Sequence, residues 1–191
     1  MSQETKSNRG RPGVSREAWL RAALDVFENE GIEAIRIESL AKRIGISKSG
    51  FYWHFENRDD LLRAMLIFWE EIENRPITAL VGEQTVQAGE MLTAIADFVD
   101  QEALAPLDAA IRQWGRKSEE VANAYAAKLN RRLHVIRALF SELGFEGKEL
   151  EMRVRTFVCY VSCEREIFAD STVEERKELS RLRVKLLTEK R

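Results

Sequence analysis

The stretch from Ser47 to Phe55 concentrates side chains that can bind a nucleic acid. On a helix over this stretch, Phe51 and Phe55 lie one turn apart and can both face a core. The outer and flanking positions then carry polar and aromatic groups, namely Lys48, Ser49, Tyr52, Trp53 and His54. Exposed aromatic groups often mark a contact surface, and the major groove of DNA admits a helix. The pattern therefore favours DNA contact over the alternative, a helical hairpin with a structural aromatic cluster.

The start of this predicted helix carries small residues, and one of them can cap it. Ser47, Ser49 and Gly50 place only small groups there, so the backbone amides at the positively polarised end can approach a phosphate. Ser47 can also cap the helix by accepting from its first amides. Ile46 before the cap can pack on Phe51 as a hydrophobic staple, which would fix the angle of the helix.

Residues 1–13 are predicted to form a flexible basic arm. Glycine and proline interrupt the run around Arg9 and Arg11, which excludes a regular helix. Arginines on such an arm suit the minor groove of DNA, where a narrow groove has the most negative potential. An ordinary solvated terminus stays open as the alternative.

Charge and composition limit the other function classes. The chain has a net charge of -2, so affinity for DNA must come from local basic patches. An enzyme is disfavoured because there are no paired carboxylates, no set of histidine, acid and nucleophile, and no glycine-rich phosphate loop after a strand. Cys159 and Cys163 form neither a C-x-x-C motif nor a zinc site, so no metal or cofactor is predicted. No apolar run approaches the roughly 18 residues of a membrane span, and the expected compartment is the cytoplasm.

Short helices with clear end signals are expected to position the candidate DNA-binding groups. The first helix is predicted from Ser15, a capping residue, to Glu30, with Gly31 ending it. Apolar residues at helical spacing predict a second helix of about two turns over residues 37–44. Gly45 then supplies the backbone freedom for a sharp turn.

A longer helical region follows the helix that is predicted from Ser47 to Phe55. An apolar stripe predicts a helix from Asn57 to about Arg75, which Pro76 ends. Five more helices are expected downstream, and Thr172 begins a capping box for the last of them. The apolar stripe of that last helix is Leu179, Leu182 and Leu186. No strand pattern is found, so the predicted fold class is all-α.

The run L-A-K-R-I-G-I-S-K-S-G-F-Y-W-H-F-E-N-R-D-D-L-L resembles the TetR family of bacterial transcriptional regulators. The resemblance covers roughly residues 9–75, and the rest matches that family only in length and helical texture. It implies an N-terminal three-helix helix-turn-helix domain plus a C-terminal helical bundle, about nine helices in total. The expected domains are a flexible basic arm at 1–13, a DNA-binding domain at 14–60 and a ligand-binding and dimerisation domain at 61–191.

The resemblance also implies roles for individual residues. Lys48, Ser49, Tyr52, Trp53 and His54 occupy the family's DNA-facing positions. Arg58 stands where the family usually has a lysine that touches phosphate. The family often begins its second helix with a threonine or serine that caps the helix and touches DNA. This chain has Arg36 and Ile37 there, and Arg36 is a candidate for reaching phosphate instead.

The function implied is a sequence-specific DNA-binding transcriptional regulator in the cytoplasm, associated with the nucleoid. A homodimer formed through the last two helices would set two reading helices about 34–36 Å apart, which predicts a pseudo-palindromic operator in double-stranded DNA. A repressor would be released when a small apolar or aromatic ligand binds between the C-terminal helices. The alternative is a DNA-binding protein of the same fold that answers to a protein partner or acts without a small ligand.

Six large side chains of the C-terminal region are candidates for contact with such a ligand. They are Phe68, Trp69, Met91, Phe98, Trp114 and Tyr125. Plain core packing is the alternative for each of them. The helix that begins at Asn57 joins both predicted domains, so it is expected to act as the lever between ligand and DNA.

Overall fold

The computed structural model describes residues 14–82, 86–102 and 104–190. Eight α-helices and two short 3-10 helices, at Ile32–Ala34 and Lys48–Trp53, make up the regular structure of these residues, and none of them forms a strand. The α-helices are α1 (Arg16–Glu30), α2 (Ile37–Arg43), α3 (Arg58–Gly82), α4 (Ala88–Gln101), α5 (Leu104–Gly115), α6 (Glu119–Glu142), α7 (Gly147–Ile167) and α8 (Val173–Thr188). The all-α prediction is confirmed.

The chain divides into two compact units between Phe68 and Trp69. This division lies inside α3, later than the predicted boundary between residues 60 and 61. The N-terminal unit holds α1, α2, both 3-10 helices and the start of α3. The C-terminal unit holds the rest of α3 and the helices from α4 to α8.

The helices of the N-terminal unit begin and end where local signals place them. Ser15 caps α1 by accepting from the Ala18 amide at 3.2 Å. Gly31 follows α1 with φ of 85°, and Gly45 follows α2 with φ of 74°. These are left-handed conformations that glycine adopts without the steric penalty of a Cβ, so both predicted helix ends are confirmed.

Two predictions in this region were wrong. The Ser47 side chain makes no capping hydrogen bond, and the helix after it is a 3-10 helix at Lys48–Trp53 rather than an α-helix. Helix α3 continues through Pro76 to Gly82. A proline inside a helix lacks one backbone donor and crowds the preceding turn, but here neither effect ends the helix.

The C-terminal unit packs its core between α4, α6, α7 and α8. Aromatic rings fill its centre, with Phe140 lying 6.3 Å from Phe145 and 6.2 Å from Phe157 between ring centroids. Ser118 caps α6 by accepting from the Val121 amide at 3.4 Å. Thr172 caps α8 in the same way from the Glu175 amide at 3.1 Å. The predicted start of the last helix at Thr172 is therefore confirmed.

Helix α8 buries two arginines beside apolar residues and leaves three leucines exposed. The predicted stripe of Leu179, Leu182 and Leu186 is exposed, and Leu186 keeps 71% of its surface accessible. The buried face includes Arg176 and Arg183, whose guanidinium groups are paired with Asp100 and Glu164. Burying two arginines while exposing three leucines is the reverse of an ordinary surface helix.

In the ranges that the structure describes, no helix combines the length and the apolar content that a membrane crossing requires.

Candidate nucleic-acid interface and internal cavity

The Lys48–Trp53 helix turns one aromatic ring inward and two outward. Phe51 is fully buried and packs edge-on against Trp19 of α1, with 5.3 Å between the ring centroids. Tyr52 is 54% exposed and Trp53 is 87% exposed. The buried ring anchors the short helix to the core of the N-terminal unit, which leaves its neighbours as a rigidly held aromatic surface.

An ion pair joins this helix to α2. The Lys48 ammonium donates to the Glu38 carboxylate, and both side chains lie on the surface. Their hydrogen bond is the main reason why the pKa of Glu38 lies below its ordinary value and that of Lys48 lies above it. Both groups therefore stay charged at neutral pH. Glu38 was not among the predicted site residues.

Small groups surround the start of the Lys48–Trp53 helix, as the sequence suggested. The hydroxyl oxygens of Ser47 and Ser49 lie 2.7 Å apart and share a hydrogen bond. Gly50 lies close to the side chain of Ile46, which follows α2. A Cβ added at Gly50 would come within 3.2 Å of the Ile46 Cδ1 atom. A larger residue at position 50 would therefore push against this side chain.

His54 and Arg58 contact the backbone of their own unit. The His54 Nε2 atom lies 2.8 Å from the Val14 carbonyl oxygen, and the ring is half-buried. The Arg58 guanidinium donates to the carbonyl oxygens of Ile35 at 2.8 Å and Ile32 at 2.6 Å. These bonds tie the start of α3 to the turn between α1 and α2. The structure thus supports a positioning role for both residues.

The remaining basic residues of the predicted DNA-binding surface are Arg36, Arg9 and Arg11. Arg36 is exposed at the position just before α2, and its side chain does not cap that helix. Arg9 and Arg11, with the whole predicted arm, lie outside the described residues. The structure therefore gathers Arg36, Lys48 and the exposed aromatic pair in one unit as the accessible part of the predicted surface.

A cavity of about 220 Å³ lies inside the C-terminal unit. Most of its wall is apolar, and this part is formed by Ile95, Val99, Ala105, Val135, Ile136, Phe157, Val158 and Val161. The rest of the wall is polar and is formed by Asp108, Lys128, Arg131, Arg132 and Ser162. The cavity therefore presents an apolar region next to a charged one.

Two charged residues of the cavity wall also form hydrogen bonds with Trp69 of α3. The Asp108 carboxylate accepts from Trp69 Nε1 at 2.8 Å through one oxygen and from Arg132 through the other. The Lys128 ammonium donates to the Trp69 carbonyl oxygen at 2.8 Å and lies 3.9 Å from the centroid of the Trp69 ring. Asp108 and Lys128 are both buried, which strengthens their electrostatic interactions.

None of the six predicted ligand residues lines this cavity. Trp69 and Met91 are buried in the core, and Trp69 stacks on Tyr125 with the ring planes 9° apart. Phe68 belongs to the N-terminal unit, where the Arg21 guanidinium lies 5.6 Å from its ring centroid. Phe98 and Trp114 are half-buried. The structure thus buries two of the six and leaves the other four half-buried, and their contact with a ligand stays a prediction.

A different sequence signal could have found part of the cavity. Lys128, Arg131, Arg132, Val135 and Ile136 recur at helical spacing, so they share one face of α6. Three cations followed by apolar residues on one helix face are unusual for a plain core. That face could have been proposed as the wall of a polar-ended site.

The sequence of the N-terminal unit matches a known family. The model for bacterial regulatory proteins of the tetR family matches residues 20–65. The tetracycline repressor protein class C of Escherichia coli is 38% identical over 52 residues, which are 27% of this chain and 24% of that protein. The chain thus aligns with about a quarter of the length of this curated relative.

Solved structures are similar over most of the chain. A TetR transcriptional regulator from Legionella pneumophila has a TM-score of 0.72 at 14% identity, over 93% of this chain and 98% of that one. The regulator FadR from Bacillus subtilis, solved in complex with stearoyl-CoA, has a TM-score of 0.66 at 17% identity, over 91% and 98%. At such low identities these likenesses show a common fold. Residues 20–65 are thus similar to the N-terminal segment of the tetR family of bacterial regulatory proteins, and the chain shares its fold with solved regulators over most of its length.

Proposed function

We propose that this protein is a sequence-specific DNA-binding transcriptional regulator of the repressor type. The observation that carries the proposal is the exposed pair Tyr52 and Trp53 beside the anchored Phe51. Such rings, held by a buried neighbour on a short helix, can enter the major groove with little loss of conformational entropy. The segment that matches the tetR family model, residues 20–65, includes this helix.

The groups on this surface divide into two kinds of contact. Tyr52 and Ser49 can reach base edges, and Trp53 can make apolar contacts with them; such contacts discriminate sequence. Lys48 and Arg36 can neutralise phosphates, which contributes affinity that depends on salt. Arg58 and His54 then act indirectly, because their bonds to backbone carbonyls hold the helix and α3 in place.

The proposed active form is a homodimer through α7 and α8. Exposed apolar side chains on and between these helices include Met152, Ile167, Phe168, Val173, Leu179, Leu182 and Leu186. A set of this kind on neighbouring helices usually marks an interface, and a two-fold axis would pair identical surfaces. Two copies would present two reading helices to a pseudo-palindromic operator.

A small ligand that releases the operator is the proposed signal. The support is the cavity of about 220 Å³ in the C-terminal unit, together with the stearoyl-CoA bound by FadR. A ligand can drive release only if it binds one conformation better than the other. The alternative of control by a protein partner would leave the cavity without a role. The DNA partner places the proposed site of action in the cytoplasm.

Replacing Tyr52 tests the DNA-binding surface. An operator is first selected from a pool of random double-stranded DNA, and its affinity is then measured by fluorescence anisotropy. Tyr52→Ala is expected to weaken operator binding by about tenfold or more, because one good base contact contributes about 1–3 kcal/mol of discrimination. Binding to unrelated DNA should change far less.

Ile67→Ala is the matched control, because Ile67 is a comparably exposed apolar side chain of the same unit. It should leave both affinities unchanged. A Tyr52→Ala protein with wild-type operator affinity and wild-type thermal stability would overturn the proposal for this surface. A wild-type protein that enriches no sequence from the pool of random DNA would also overturn the proposal for this surface.

A further inference from the structure

We propose that His54 is a positioning residue for a second DNA contact. It holds the start of the basic arm, residues 1–13, beside the Lys48–Trp53 helix. Arg9 and Arg11 of the arm then enter the minor groove next to the major groove that this helix reads. The inference rests on the proposed function and adds the contact and the residue that directs it. The arm lies outside the described residues, and the contacts of the three residues that follow it carry the inference.

Three consecutive residues after the arm are held by different contacts. The His54 Nε2 atom lies 2.8 Å from the Val14 carbonyl oxygen, and because a carbonyl can only accept, this nitrogen donates its hydrogen. The Ser15 side chain caps α1. The Arg16 guanidinium lies 5.0 Å from the centroid of the Phe55 ring, within the range of a cation–π contact. The arm therefore begins at a fixed point of the N-terminal unit.

This fixed point lies next to the surface that is proposed to meet DNA. His54 directly follows Trp53, whose side chain is 87% exposed. The bond from His54 to Val14 joins positions 40 residues apart, and the contact of Arg16 with Phe55 joins the same two segments. These contacts link the origin of the arm to the helix that is proposed to enter the major groove.

The spacing of the two arginines matches the distance between neighbouring grooves. Arg11 and Arg9 precede Val14 by three and five positions. An extended chain spans about 3.3–3.6 Å per residue, so their Cα atoms can lie up to about 10 Å and about 17 Å from that of Val14. One turn of DNA is about 34–36 Å, so a minor groove lies roughly 17 Å from the major groove beside it. Arg9 spans this distance with its backbone, and Arg11 adds the length of its side chain.

The charge of the arm suits a minor groove. Residues 1–13 contain three basic side chains and one acidic one, namely Lys6, Arg9, Arg11 and Glu4. Since Lys48 already shares its charge with Glu38, a second source of positive charge would add affinity for phosphates. A narrow minor groove over A·T pairs has the most negative potential and attracts arginine. The arm is therefore expected to bind an A·T-rich segment that flanks each half-site.

The first experiment identifies the groove. In the selected operator, base pairs about half a turn, roughly five pairs, from those read by the Lys48–Trp53 helix are set to A·T, G·C or inosine·cytosine. Inosine lacks the guanine amino group, so its pair with cytosine resembles A·T in the minor groove and G·C in the major groove. Compared with A·T, G·C is expected to weaken binding by about fivefold or more, and inosine·cytosine by less than about twofold. Equal affinities for all three, or inosine·cytosine behaving as G·C does, would overturn the minor-groove contact.

The second experiment tests His54 with a double-mutant cycle. In the wild-type background, Arg9→Ala with Arg11→Ala is expected to weaken operator binding by about tenfold or more and to lower the salt slope by about two units. The His54→Phe protein keeps a ring and lacks the donor to Val14, so the same pair of substitutions should weaken its binding by about threefold or less. His54→Gln, whose amide can donate in place of Nε2, should restore most of the tenfold effect.

His134→Phe is the matched control, because His134 is the other histidine of the sequence and is exposed in the C-terminal unit. It should leave the effect of the arm substitutions unchanged. Equal losses from these substitutions in the wild-type and His54→Phe proteins would overturn the positioning role. His54→Ala is measured alongside, and it enters the cycle if His54→Phe lowers the thermal stability.

The same titrations separate this inference from the proposed function. The affinities of the wild-type protein for the operator and for unrelated DNA are measured in each series. A wild-type protein that prefers its operator but loses nothing with the arm substitutions would overturn the second contact and leave the proposed function in place. A wild-type protein without that preference would overturn both.

Discussion

Glu38 holds the only lysine on the Lys48–Trp53 helix, and it does so on the surface proposed to meet DNA. DNA phosphates must therefore compete with this carboxylate for the Lys48 ammonium. Surface ion pairs are weak, so phosphate can displace Glu38. The carboxylate then remains near the DNA backbone as a repelling charge. Glu38 is thus expected to restrain affinity for DNA of any sequence.

Replacing Glu38 tests this restraint. Glu38→Gln is expected to raise affinity for unrelated DNA and to increase the salt slope of binding by about one unit, because the surface that meets the phosphates loses one negative charge. The measurement is a series of dissociation constants over a range of salt concentrations. The pKa of Glu38 is lowered by Lys48, so the carboxylate stays charged and the effect should be unchanged between about pH 6 and pH 8.

Glu17→Gln is the control, because Glu17 also pairs with an arginine of the N-terminal unit, Arg21, at 2.9 Å. It removes the same charge and leaves the pair of Lys48 with Glu38 in place. An equal gain in affinity from both substitutions would show a general charge effect and contradict a specific role for Glu38.

Contacts between residues distant in sequence limit what can be predicted for single side chains. Lys48, Tyr52 and Trp53 were predicted as exposed groups from their spacing around Phe51, and the structure exposes all three. The bonds of Arg58 to Ile32 and Ile35 depend on how α3 meets a turn that lies more than twenty positions earlier. Periodicity within one helix contains no information about such a meeting.

At the scale of the elements, the starts of helices show which local signals determine structure. Ser15, Ser118 and Thr172 each cap a helix through a side-chain hydrogen bond. Ser47 has the same residue type and an extended backbone, yet it makes no capping bond and its hydroxyl pairs with Ser49 instead. A serine competes for several nearby partners, so residue type alone predicts a cap without guaranteeing it.

Ser15 and Ser47 of the N-terminal unit give a matched comparison. Ser15→Ala is expected to lower the free energy of unfolding by about 0.5–2 kcal/mol, as loss of a cap usually does. Ser47→Ala should change it by less than about 0.5 kcal/mol, because no cap is lost at this surface site. Urea unfolding followed by circular dichroism measures both. A Ser47→Ala loss as large as that of Ser15→Ala would contradict the observed capping.

The order and ends of most elements could be predicted because they follow from local chemistry. Gly31 and Gly45 mark helix ends through a backbone conformation that few other residues adopt. Pro76 was a weaker signal than expected, since α3 runs through it. The cavity could not be predicted from any one helix, because its wall combines faces of α4, α5, α6 and α7.

At the scale of the whole molecule, the exposed leucines of α8 predict assembly. Leu182→Asp is expected to weaken the homodimer by about 100-fold or more, because the interface would bury an unpaired carboxylate. Sedimentation velocity over a range of concentrations measures the change. Operator affinity should fall with it, since each copy would then hold only one half-site.

Ile67→Asp is the control for this substitution. It adds the same charge at an exposed apolar side chain of the N-terminal unit, and it should leave the dimer intact. A Leu182→Asp protein that sediments as the wild type does would exclude this face of α8 from the interface.

In the proposed homodimer, the exposed leucines of α8 would also affect how the protein responds to its own abundance. A single copy exposes these leucines to water while Arg176 and Arg183 are already buried in ion pairs, so the proposed dimer would remove apolar surface from water. When free copies predominate, the amount of dimer rises with the square of the copy number. Operator occupancy would then depend steeply on the amount of protein synthesised. Halving expression would lower operator occupancy by more than twofold. In this way the surface of one helix would set a threshold for gene control.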